Sequence, residues 1–122
     1  MKRPLPTEHA EQSALIQWWA SYAATKGIDE RLLFSIPNGA NKSIAQAMKF
    51  KREGLRKGVP DLMLAYPTIM FHGLFIEMKR KGQKGTPEQI DFGLLLRDFG
   101  YDSLICLGFE EARQAVMVHC ES

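Results

Sequence analysis

Apolar positions recur at helical spacing from Thr7 to about Thr25. Leu15, Trp18 and Tyr22 form one stripe, which Ala14, Trp19 and Ala23 widen. Thr7 is placed to cap this helix and Gly27 to end it. Arg31 to Ile36 reads as a strand, after which Pro37-Asn38-Gly39 turns the chain. Ser43 to Glu53 predicts a helix with Ile44, Ala47, Met48 and Phe50 on its apolar side and Lys42, Lys49, Lys51 and Arg52 opposite; Gly54 stops it. Two short apolar runs, Leu62–Ala65 and Leu74–Met78, read as strands joined by a turn region with Pro67. Thr86 as cap, Pro87 at the first position and Gln89 three after the cap open another helix. Its predicted buried stripe is Ile90, Leu94, Leu95 and Phe99, and Gly100 closes it. Asp102 to Leu107 is a strand, and Phe109 to about His119 a last helix with Ala112, Ala115 and Val116 inward.

The order is α-β-(α)-β-β-α-β-α. Strands 73–81 and 102–107 are joined through a helix, which predicts a right-handed parallel crossover. The short link between the two runs before it predicts an antiparallel pair. The expected fold is therefore α/β, a mixed central sheet with helices on both faces. With 122 residues, 45% apolar and 25% charged, the chain suits one globular domain spanning 1–122. The run from Leu62 to Met78 is interrupted by Pro67, His72, Gly73 and Glu77, so no membrane span is expected, and MKRPLPTEHAEQ has no apolar stretch to make a secretory leader. Cys106 and Cys120 have no metal-ligand spacing, and a reduced, cytoplasmic setting fits.

Charge changes the picture. The net charge of +2 conceals nine basic and three acidic residues between Lys49 and Lys84, so that segment carries +6 and the remainder −4. A basic middle suggests a polyanion partner, although a solvated surface explains a charge run equally simply.

Within that basic middle stand Asp61, at the mouth of the first short strand, and Glu77 and Lys79, near the end of the second. Strand alternation points Glu77 and Lys79 one way and Leu74, Ile76 and Met78 the other, into a core. Pairing of the two strands brings Asp61 toward Glu77. Two carboxylates beside an ammonium at the edge of an apolar sheet are costly unless a cation or a phosphate completes the set. Pro60 holds Val59 extended and offers no N–H, so Asp61 enters its strand from a set direction. Glu8 and Gln12 share a face in the first helix, whereas Glu11 lies in phase with Leu15 and Trp18. The loop Arg80-Lys81-Gly82-Gln83-Lys84-Gly85 is basic but lacks the pattern of a P-loop.

Taken together, these pieces resemble a known family. Pro60-Asp61 … Glu77-Met78-Lys79 is similar to the signature of the PD-(D/E)XK nucleases, whose fold is restriction-endonuclease-like. EHAEQ at 8–12, Pro37-Asn38-Gly39, GVPDLML at 58–64, HGLFIEMKRKG at 72–82, TPEQ at 86–89 and GYDSLICLGFEEA at 100–112 resemble, in order, the VRR-NUC (virus-type replication-repair nuclease) branch, particularly its small stand-alone phage and bacterial members. The resemblance implies a metal-dependent DNA endonuclease in which Asp61, Glu77 and the backbone carbonyl of Met78 hold Mg²⁺, with Mn²⁺ able to substitute. The ion would polarise the scissile phosphate and acidify a water. Lys79 would orient that water or stabilise the developing charge, and Glu8 would reach the metal through water, with Glu11 as its rival. Gln89 matches a family glutamine, but a capping box with Thr86 accounts for it equally well. Gln12 could support the site, and Asn38 could touch DNA or only shape its turn.

Lys51, Arg52, Arg56, Lys57, Arg80, Lys81 and Lys84 are the expected phosphate contacts, which position a substrate without reading its sequence. The family likeness further implies a homodimer acting on branched DNA, similar to a Holliday junction resolvase, in repair. Candidate dimer surfaces are the Trp18/Trp19 helix and the Phe71–Phe75 region. The main alternative is a nuclease-like module that binds nucleic acid without cutting it.

Overall fold

The computed structural model describes residues 4–37 and 43–122. Helix α1 covers Glu8–Lys26. Its Thr7 hydroxyl accepts the Ala10 N–H at 3.0 Å, and Gly27 closes it in the left-handed region at φ 68°, where glycine is the least strained residue. A 3₁₀ turn, Glu30–Leu32, precedes β1, Leu33–Ser35. This strand is shorter than the run Arg31 to Ile36 predicts, because Asp29 caps the 3₁₀ turn by accepting the Arg31 N–H. Helix α2, Ile44–Arg52, begins with a capping box between Ser43 and Gln46. Strands β2 (Leu62–Leu64) and β3 (Leu74–Lys79), helix α3 (Pro87–Asp98), strand β4 (Asp102–Leu107) and helix α4 (Phe109–Cys120) complete the chain. The residues Asn38, Gly39 and Lys42 fall outside the described residues.

The sheet order is β1-β2-β3-β4. β1 with β2 and β2 with β3 are antiparallel, while β3 and β4 are parallel through α3, as the sequence predicts. One face is dry. Leu62, Leu64, Leu74, Ile76 and Met78 project into a core with Leu15, Trp19 and Ala23 of α1 and Ala112 and Val116 of α4. Trp19 is a core residue whose indole N–H donates to the Glu30 carbonyl at 2.8 Å, and Trp18 stacks on Tyr22 with ring centroids 4.7 Å apart. The tryptophans are thus occupied within the chain. Phe75 meets Tyr101 edge-on in the same way.

The other face differs from the predicted pattern. Ile90, Leu94, Leu95 and Phe99 do not form a buried stripe on α3: each is about half exposed or more, and Phe99 is 70% exposed. The sheet under α3 mixes the polar Ser103 and Glu77 with Ile105. The helix approaches closely through Gly93, where a Cβ would come within 3.1 Å of the Ser103 hydroxyl. Similarly, α2 buries none of its residues. Its Ala47 is half-buried, while Ile44 and Met48 face outward.

Glu11 ties α1 to α4. Gly108, the N-cap of α4, has no side chain to satisfy the helix's first amides. The Glu11 carboxylate accepts the Phe109 N–H instead and places negative charge at the positive helix end. We expect Glu11→Ala to lower stability by about 1–2 kcal/mol, within the range for a lost cap, as read by urea denaturation. Wild-type stability in that variant would remove the cap from this account.

Candidate active site at the end of the antiparallel strand pair

In β2, the carbonyl of Asp61 accepts the Ile36 N–H at 2.7 Å and the Ala65 N–H reaches Leu32 at 2.8 Å. Odd-numbered backbone groups there face β1, so Leu62 and Leu64 face β3, opposite Ile76 and Leu74. Extending this register by one more bonded pair sets Pro60 opposite Met78. Proline has no N–H, so the ladder stops. The Asp61 carboxylate takes over, its Oδ2 accepting the Met78 N–H at 2.8 Å. The Met78 carbonyl, on the same strand edge as its N–H, is left without a donor from the ladder.

Glu77 projects from the next position onto the wetter face, yet is only 5% exposed. The Lys79 ammonium lies 3.8 Å from its Oε2. Burial, a hydrogen bond shared with Asp61 and the Asp61 and Glu8 charges push the Glu77 carboxyl up to about 8, against the opposing pull of Lys79. Asp61, Lys79 and Glu8 thus all act on Glu77, three acids to one base. That imbalance, together with two oxygen donors and a bare carbonyl, suits a hard divalent cation. Among the described residues no group of three His, Cys, Asp or Glu side chains is arranged to hold a metal. The fit is instead to two carboxylates and a main-chain oxygen, with the remaining positions left to water or substrate.

Gln89 reaches the same place from α3. Its Oε1 accepts the Thr86 N–H at 2.9 Å, completing the capping box, and this leaves its amide NH₂ as the donor end. The two roles open in the sequence are thus compatible. A cavity of about 370 Å³ is lined by Asp61, Glu77, Gln89, Arg56, Lys57 and Gly58, among others. Lys57 is paired with Glu88 at 3.4 Å. Glu11 is engaged at α4, so the Glu8 carboxylate is the one whose charge reaches Glu77.

Other predicted residues are not gathered here. Gln12 lines a separate hollow between α1 and β1 with His9 and Phe34. Arg80 and Lys81 border a small recess with Leu5, Pro6 and Glu11, and Arg80 donates to the Leu5 carbonyl at 3.4 Å. Lys51 and Arg52 stand on α2, and Lys84 lies in the exposed loop before α3. Gly58, which the sequence shows only as the first residue of GVPDLML, has a structural role at the site. Gly58 has φ 91°, and a Cβ there would overlap the Glu88 carbonyl, so the glycine lets the Arg56-Lys57 segment close against α3. The signal was present as a glycine directly before Val59-Pro60.

The VRR-NUC domain model matches residues 2–110 of the chain. The chain belongs to the VRR-NUC family. It is accordingly a nuclease of the PD-(D/E)XK type. A solved structure named "VRR_NUC domain protein" superposes with a TM-score of 0.83 at 26% identity, covering 97% of this chain and 91% of that one. No curated protein matches. Among the described residues of this VRR-NUC chain, no helix is long and apolar enough to cross a membrane.

The Glu77 shift has a stability consequence. Its unfolded-state carboxyl ionises near the ordinary 4.5, while the folded one keeps its proton to about 8. Between these values the unfolded chain binds fewer protons, so stability falls as pH rises through that window and levels off above it. In chelator, the melting temperature should drop from pH 5 to pH 8 by several degrees, and Glu77→Gln should flatten the profile. A flat wild-type profile would contradict the burial argument.

Proposed function

We propose that this nuclease domain, taken as residues 1–122, is a divalent-metal-dependent DNA endonuclease that hydrolyses phosphodiester bonds in branched DNA, in the manner of a Holliday junction resolvase. The observation that carries the reading is the convergence of Asp61, Glu77, Lys79 and the unpartnered Met78 carbonyl where the β2–β3 ladder ends. Asp61, Glu77 and the Met78 carbonyl would hold Mg²⁺ or Mn²⁺. A cation bound there supplies Lewis-acid polarisation of a phosphoryl oxygen.

The chain's own groups do the rest. Lys79 is held against Glu77 with its side chain 13% exposed, so its ammonium is a fixed donor for the charge that builds on the phosphorus oxygens. The Gln89 amide, its carbonyl end tied to Thr86, offers a second donor to the same cavity. Glu8 adds negative charge at longer range, suited to holding a water. Arg56 and Lys57 line the cavity, where they would contact phosphates without reading bases. A purely binding role is disfavoured by the complete set of Asp61, Glu77 and Lys79.

A homodimer fits the exposed stripe of α3, since Ile90, Leu94, Leu95 and Phe99 form an apolar surface that a second copy would cover. The edge of β4 is a poorer candidate. The Ser103 N–H and carbonyl are taken by Asp102 and Arg97, and the Leu107 N–H by Glu111, so little of that edge is open to strand pairing. These features support the α3 face over the earlier Trp18/Trp19 and Phe71–Phe75 candidates.

The test is cleavage of labelled four-way junction, flap, duplex and single strand with Mg²⁺ or Mn²⁺. We expect Asp61→Asn and Lys79→Ala each to reduce cutting by about 100-fold or more while junction binding in Ca²⁺ persists. Undiminished cutting by either variant, or cutting in excess chelator, would refute the assignment.

A further inference from the structure

Helix α2 exposes two large apolar side chains: Ile44 is 83% exposed and Met48 58%. Contrary to the sequence expectation that set them opposite, the helical repeat puts Lys51 and Arg52 on the side of Ile44 and Met48, at i+7 and i+8 from Ile44. Ala47 and Phe50 turn the other way, and the Phe50 carbonyl accepts the Leu55 N–H at 2.9 Å, which anchors the end of the helix. Among the described residues α2 packs extensively against no other helix or strand. Nine residues held by one capping box are marginal as an isolated helix, so a partner that covers the outer side would stabilise it. Among the described residues no ion pair engages Lys51 or Arg52. The chain then runs through Gly54, Leu55, Arg56 and Lys57, all of which line the cavity that holds Asp61 and Glu77.

We propose that α2 is a wedge for unstacked DNA bases at a branch point. Ile44 and Met48 would insert against base faces while Lys51 and Arg52 take the adjoining phosphates. An apolar pair flanked by cations matches a ligand whose flat apolar faces alternate with anions, and the chain leaving α2 lines the cavity where the phosphodiester would lie. Inserting apolar side chains is costlier in intact duplex, where bases must unstack, than where they are already unpaired, so the wedge favours branched over continuous DNA. The proposal rests on the nuclease reading and adds the element that selects the substrate.

The test places 2-aminopurine at the branch of a four-way junction and reads fluorescence with protein in Ca²⁺, where no cutting is needed. Wild type and Asp61→Asn should both brighten the probe by about twofold or more, as unstacking does. Ile44→Ala with Met48→Ala should abolish most of that rise and slow junction cutting in Mg²⁺ by about 10-fold, the scale of a lost base contact. Its affinity should keep the wild-type salt slope, because the cations remain. Ile44→Leu with Met48→Leu should restore the rise, which separates a lost wedge from a lost helix. A wild-type rise in the alanine pair, or no recovery in the leucine pair, overturns the wedge. So does a change of dimer to monomer on sedimentation in the alanine pair, which would assign the face to a second copy. Failure of the nuclease reading would appear separately, as undiminished cutting by Asp61→Asn.

Discussion

The antiparallel ladder between β2 and β3 ends at a residue that cannot donate. Leu62 pairs with Ile76, and the next bonded pair would need an N–H from Pro60. An ordinary residue there would extend the sheet and consume the Met78 carbonyl. With proline the strands part, the Asp61 side chain catches the Met78 N–H, and a bare carbonyl oxygen remains between two carboxylates. The site is therefore made by stopping a regular structure one pair early. Its residues sit on rigid strand ends rather than on loops, which suits chemistry that needs positions held to a fraction of an ångström.

The two faces of the sheet divide the work. On the face toward α1 and α4, aliphatic burial supplies the stability, and Leu62, Leu74, Ile76 and Met78 are almost wholly buried. On the opposite face Glu77 sits buried beside Asp61 and Lys79, at a cost that shows as the raised carboxyl. Under α3, Ile105 alternates with the polar Ser103 along β4, so the floor is only partly apolar. The helix settles close through Gly93, and its apolar stripe stays exposed. The surface suited to a second copy and the chemistry of the site thus have one origin, the departure of that face from an aliphatic pattern.

Much of this was legible from strand periodicity. Alternation alone set Leu74, Ile76 and Met78 opposite Glu77 and Lys79, and the short link before β3 implied the pairing that brings Asp61 to Glu77. Helical periodicity was less informative for α3 and α2. It marks an apolar side but does not say whether anything covers it, and here much of that side stays exposed. Glu11 shows the same limit. Its phase with Leu15 pointed it inward correctly, but its partner is the amide of Phe109, 98 residues away, which no local pattern encodes. The role of Gly58 is equally hidden from local pattern, because the Glu88 carbonyl it accommodates belongs to a distant helix.

Diffraction from crystals soaked in Mn²⁺, recorded where the ion scatters anomalously, would locate the cation without any assay of cutting. One peak should lie within coordinating distance of an Asp61 oxygen, a Glu77 oxygen and the Met78 carbonyl, and it should vanish in Asp61→Asn crystals. A well-occupied ion elsewhere, with that pocket empty and Glu77 still bonded to Asp61, would contradict the idea that the interrupted ladder builds a metal site.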